Sequence, residues 1–110
     1  MSVSFDLTGK VAVITGGAGI LCSEMARQLA ESGVSVAILD LFGDKAEKVA
    51  EEITAKGGRA IGVQADVLDK NSLINARDRV LKEFGRVDIL INGAGGNKKE
   101  ATTSDDRSLL

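Results

Sequence analysis

The sequence predicts an α/β domain of three layers, a doubly wound parallel sheet covered by helices on both faces. Three observations carry that prediction. Four short apolar runs lack strict alternation, the pattern of strands buried on both sides. Segments with helical apolar spacing separate them, giving the order βαβαβαβ. Each run is closely followed by Gly16, Asp40, Asp66 or Asn92, residue types suited to ligands at strand carboxyl ends. Right-handed crossovers then give the strand order 3-2-1-4.

The first run, Val11-Ala12-Val13-Ile14, is rich in β-branched residues and stops at Thr15-Gly16-Gly17. In the helix after it, Leu21, Met25 and Leu29 recur every four residues with Ala26 and Ala30 alongside, so this stripe is expected to be buried. Ser32-Gly33 ends that helix. Val34-Ser35-Val36-Ala37-Ile38-Leu39 is the second strand. The second helix presents Ala46, Val49, Ala50 and Ile53 on one face and ends at Lys56-Gly57-Gly58. Ala60-Ile61-Gly62-Val63 is a weaker third strand. The third helix has Asp69 as its N-cap. Its stripe is Leu73, Arg77, Val80 and Phe84, with Ile74 and Leu81 beside it, Arg77 at its edge and Gly85 as its stop. Val87-Asp88-Ile89-Leu90-Ile91 is the fourth strand, and a polar segment runs from Gly93 to Leu110. No internal boundary appears, so residues 1–110 read as one unit. That unit is expected to be incomplete at its carboxyl end, because the fourth strand would otherwise be an exposed apolar edge. An isolated chain of this kind should self-associate, and a homo-oligomer is expected.

Composition narrows the chemistry. The 110 residues carry 14 basic and 16 acidic side chains for a net charge of −2, with 44% hydrophobic content. That suits one small globular domain and leaves no electrostatic footprint for nucleic acid or an anionic membrane. The amino terminus has neither the basic start nor the apolar run of a signal peptide. No stretch approaches the roughly 18 apolar residues of a membrane span. Cys22 is the only cysteine and cannot form an internal disulfide, which fits a cytoplasmic protein. Histidine, tyrosine, tryptophan and proline are absent. Without histidine there is no Ser-His-Asp triad, Cys-His pair or histidine-bound metal, and a single cysteine removes cysteine-rich zinc sites.

What remains is a nucleotide site. Thr15-Gly16-Gly17-Ala18-Gly19-Ile20-Leu21-Cys22 joins the first strand to a helix, where glycines let backbone amides approach a pyrophosphate at the helix start. A plain βα turn is the bland alternative. A Walker-type loop is excluded, since no Lys-Ser or Lys-Thr follows the glycines. Asp40 closes the second strand 21 positions after Gly19, near the spacing at which an acid accepts hydrogen bonds from an adenosine ribose. The same carboxylate would repel a 2′-phosphate, and Leu41-Phe42 offers that phosphate no partner, so NAD is favoured over NADP. A cap for the next helix is the alternative role for Asp40. Asp66-Val67 and Asn92-Gly93-Ala94-Gly95 follow the third and fourth strands. Asp66 is open to a turn role, and Asn92 to satisfying backbone at a strand end. Cys22 reads as a small residue packed under the first helix rather than a redox thiol. Glu51-Glu52 and Asp105-Asp106 read as a solvated helix face and a loop.

These marks together resemble the amino-terminal half of a short-chain dehydrogenase/reductase, from about Leu7 to the Thr102-Thr103 region. The resemblance implies a Rossmann-type sheet. It implies that Thr15, Gly16, Gly17, Gly19, Ile20 and Leu21 shape the pyrophosphate turn and that Asp40 and Leu41 meet the adenosine ribose. It further implies that Asp66 and Val67 contact adenine, and that Asn92, Gly93, Ala94 and Gly95 wall the nicotinamide ribose. The commonest family loop has glycine where Ile20 and Cys22 stand. The spacing Gly16-x-x-Gly19-x-x-Cys22 resembles the variant with glycines three apart, cysteine replacing the last, which serves close helix–strand packing. The two loops resemble bacterial mannonate/fructuronate-type oxidoreductases, although Lys98-Lys99 departs from the His-Pro of that group.

The family's catalytic tyrosine, with its lysine four residues on, its serine and its asparagine, has no counterpart here, and the resemblance implies no catalytic residue in this chain. Three readings follow. The chain is the cofactor-binding part of an NAD-dependent oxidoreductase acting on a small carbinol or carbonyl substrate, or a non-catalytic module that holds NAD or docks on a partner. The third is an NAD-dependent epimerase or dehydratase of the same superfamily.

Overall fold

The computed structural model describes residues 7–93. The polar segment from 94 onward, with Ala94, Gly95, Lys98, Lys99, Asp105 and Asp106, and the first six residues lie outside the described residues. The elements run β1 (Val11–Thr15), α1 (Ile20–Glu31), β2 (Ser35–Asp40), α2 (Gly43–Ala55), β3 (Ala60–Gln64), α3 (Lys70–Phe84) and β4 (Ile89–Asn92). All strand pairings are parallel and the order is β3-β2-β1-β4, as the sequence predicts.

Every residue of β1 is buried because successive side chains enter opposite layers. Ala12 and Ile14 join Val36 and Ile38 of β2 beneath α1 and α2, whose contributions are Ala26, Ala46, Val49, Ala50 and Ile53. Val11 and Val13 join Ala37 and Leu39 on the other side, against Ala76 and Val80 of α3. Two cores on one sheet make the three layers.

The second helix buries the predicted stripe. On α3 the Asp69 carboxylate accepts from the amides of Asn71 and Ser72, while Ala76 and Val80 form the buried centre. The prediction for α1 needs correction. Leu21 is 80% and Met25 40% exposed, whereas Ser23 and Ala26 are buried, with Cys22, Leu29 and Ala30 packed beside the core. The helix turns its small side chains inward, which lets its axis lie close over Ile14 and Ile38. Strand β4 also begins later than its apolar run. The Asp88 carboxylate accepts the Val11 amide at 2.8 Å, taking a donor at the point where the regular β1–β4 ladder begins.

Candidate functional site

The parallel order brings Asp66, Asp40, Thr15 and Asn92 to one edge of the sheet, at or just past the carboxyl ends of β3, β2, β1 and β4. The turn after β1 is shaped by two different demands. Gly16 has φ +66°, a left-handed conformation that a side chain would strain. Gly17 has no such φ but no room either: a Cβ there would lie 2.7 Å from Ile38 Cγ2 and 2.9 Å from the Ile14 carbonyl. The Gly17 amide donates to the Leu39 carbonyl and the Gly19 amide to Gly16, so the turn is stitched to β2 and closed on itself.

Helix α1 starts with Gly19 as an N-cap that makes no side-chain hydrogen bond. Ile20 is 90% exposed and Leu21 80%, so the first turn faces outward with its amides uncapped by any side chain. Such a start favours an anion through its amides and the helix's partial positive charge. A cradle with no Cβ at positions 16, 17 and 19, next to an uncapped helix start, fits the pyrophosphate of a dinucleotide.

Asp40 has both carboxylate oxygens engaged. Oδ2 accepts the Ala18 amide at 3.1 Å and Oδ1 accepts the Phe42 amide at 2.9 Å. One side chain thus ties the glycine turn to the start of α2, and each oxygen retains capacity for a hydroxyl donor. Leu41 and Phe42 beside it are exposed, and Lys45 Nζ stands 4.9 Å from the centroid of the Phe42 ring.

Asp66 occupies the turn role left open by the sequence. Its Oδ1 accepts the Leu68 amide, its carbonyl accepts the Asp69 amide, and its own amide donates to Ser72 Oγ. Val67 next to it is half-buried. Across the sheet, the buried Thr15 hydroxyl donates to Asn92 Oδ1 at 2.7 Å, and the Gly93 amide donates to the Thr15 carbonyl at 3.0 Å. Cys22 packs its Sγ into the space beside Gly93. The Ala18 amide, Ser72 and the Cys22–Gly93 contact escaped the sequence reading. No apolar or polar pattern announces an amide donor, and only the replaced glycine at 22 hinted at the contact. Among the described residues no helix is long and apolar enough to cross a membrane.

Comparison with known proteins gives this geometry a family. The profile described as short chain dehydrogenase matches residues 10–108. The uncharacterised oxidoreductase UxuB of Bacillus subtilis (strain 168) is 57% identical over 98 residues, covering 89% of this chain and 35% of the relative. D-Threitol dehydrogenase of Mycolicibacterium smegmatis is 41% identical over 97 residues, 86% of this chain and 37% of the relative. A crystal structure with bound NAD, of a protein from Haemophilus influenza provisionally named a D-mannonate oxidoreductase, superposes with TM-score 0.80 at 44% identity. That match covers 90% of this chain and 35% of the other. The chain spans about a third of the length of these relatives. Strand order, glycine turn and sequence agree on one conclusion: the chain belongs to the short-chain dehydrogenase/reductase family, whose amino-terminal part it resembles throughout.

Proposed function

We propose that this chain holds NAD for an oxidoreductase that moves a hydride to or from the carbinol carbon of a polyhydroxylated acid. The observation that carries the reading is the Asp40 carboxylate, bonded to the Ala18 amide of the glycine turn beside an uncapped helix start. In this reading Thr15, Gly16, Gly17, Gly19, Ile20 and Leu21 hold the pyrophosphate, largely through backbone. Asp40, with Leu41 beside it, accepts the adenosine ribose hydroxyls and repels a 2′-phosphate, which selects NAD over NADP. Asp66 and Val67 border the adenine, and Asn92 and Gly93, with Ala94 and Gly95, border the nicotinamide ribose. When bound, the dinucleotide supplies the carbon that accepts or gives the hydride. The relatives named for D-mannonate and D-threitol support a polyhydroxylated substrate. A lone cysteine fits work in the reducing cytoplasm.

No tyrosine lies in the 110 residues, so a family-type acid–base step needs side chains from outside them. In this reading the 110-residue chain alone gives no turnover. The test is calorimetric titration of the natural protein with NAD and NADP, followed by NADH formation on sugar acids including D-mannonate. We expect NAD to bind at least about tenfold more tightly than NADP. Binding of S-adenosylmethionine with no binding of NAD would sink the reading.

A further inference from the structure

The end of β4 carries an unexplained glycine. Gly93 is not in the left-handed region, so backbone conformation does not demand it. Space does. A Cβ at Gly93 would collide with Cys22 Sγ and would stand 2.8 Å from the Thr15 carbonyl, while the Gly93 amide is committed to that same carbonyl. Cys22 lies in the first turn of α1, at the position where glycine-rich turns of this kind place a third glycine to bring helix and strand together. Here the side chain in the gap sits on the helix, and the strand end carries none.

We propose that Cys22 is a positioning residue: its thiol sets the separation between the first turn of α1 and the end of β4, and so places the Gly93 backbone. The inference rests on the NAD reading for its functional consequence, since Gly93 borders the nicotinamide half of the site there. The adenosine half is held separately, by Asp40 on the Ala18 amide. A change at Cys22 therefore falls more heavily on the nicotinamide end of the dinucleotide than on the adenosine end. Oxygen in place of sulfur keeps most of the wedge, and methyl or hydrogen removes it.

The test uses the full natural protein, with NAD and ADP as separate titrants. Cys22→Ala should weaken NAD by about tenfold and leave ADP within about twofold, while Cys22→Ser stays near wild type for both. Equal loss of NAD and ADP in Cys22→Ala, or no loss of either, would overturn the assignment. Melting temperatures supply an arm independent of any nucleotide. Gly93→Ala should lower the Tm, and Cys22→Gly/Gly93→Ala should recover part of that loss, because the thiol and the added methyl compete for one space. Strictly additive losses would refute the wedge even if NAD binds. Should wild type bind neither nucleotide while the double variant recovers Tm, the proposed function falls and the packing pair stands.

Discussion

The carboxylate of Asp40 and the amide of Ala18 meet at 3.1 Å across the gap between the end of β2 and the turn after β1. Asp40 is thus both a ligand candidate and a brace for the loop that would hold the pyrophosphate. Replacing it with alanine removes a charged acceptor from two amides, a loss of about 1.5–3 kcal/mol in local hydrogen bonding. Asp40→Ala should weaken NAD by about 10- to 100-fold and narrow the gap to NADP, because the repelling charge goes too. Asp40→Asn keeps an acceptor and should retain more NAD affinity than Asp40→Ala while losing discrimination against NADP. Calorimetric titration of both variants with both dinucleotides checks each part.

Two glycines away from the site separate conformational need from spatial need. Gly57 has φ +93° with nothing within 4 Å of a Cβ, so alanine there meets only backbone strain, about 1 kcal/mol. Gly62 on β3 has an ordinary φ, but a Cβ would lie 2.5 Å from the carbonyl carbon and oxygen of Ala46 and from the Glu47 amide. Helix α2 would have to lift off the strand. Gly62→Ala should therefore cost more than Gly57→Ala, about 2–3 kcal/mol or more, as overpacking against backbone leaves no side chain to yield. Urea denaturation of the two variants decides the order.

The sheet was legible because its signals are local. Four runs such as Val36-Ala37-Ile38-Leu39 are apolar on both sides of the pleat, and the parallel order follows from crossover handedness. The strand-end marks Thr15, Asp40, Asp66 and Asn92 were legible for the same reason: Thr15, Asp40 and Asn92 close their strands and Asp66 lies two residues past the end of β3. The inward face of α1 was not. Periodicity weighs Leu21 and Met25 above Cys22 and Ala26, yet a helix that approaches a sheet closely needs its smallest residues between them. The partners of Asp40 were hidden as well, because Ala18 contributes an amide that every residue has.

Acid sensitivity should concentrate at the start of β4. The Asp88 carboxyl is held below the usual carboxylate value of 3.8, first by hydrogen bonding from Arg86 and then by the Val11 amide. A folded pKa below the unfolded one means the ionised form favours the fold. That contribution is fully present above the unfolded value and is lost as pH falls through the folded one. Arg86 is raised by the same partner and remains charged throughout the acid and neutral range, so it adds no pH dependence there. Asp88→Asn should be less stable than wild type at pH 7, with the difference shrinking below about pH 4. Urea midpoints measured from pH 7 to pH 2 would reject this if the gap stayed constant.

The hydroxyl of Thr15 and the side chain of Asn92 close the carboxyl ends of β1 and β4 at 2.7 Å, with Thr15 only 3% exposed. A buried polar pair behaves asymmetrically when cut. Asn92→Ala takes an acceptor from a hydroxyl in a nearly dry position and should cost about 1–3 kcal/mol. Thr15→Val preserves the side-chain shape and leaves the more exposed amide of Asn92 able to reach water, so its cost should be smaller. The double variant Thr15→Val/Asn92→Ala should then be more stable than the sum of the single losses predicts, by about 0.5 kcal/mol or more, because each single change already breaks the bond the pair shares. Chemical denaturation of the four proteins closes the cycle. Losses that simply add would mean the two side chains do not depend on each other, and that the β1–β4 junction is held by its backbone ladder without help from this pair.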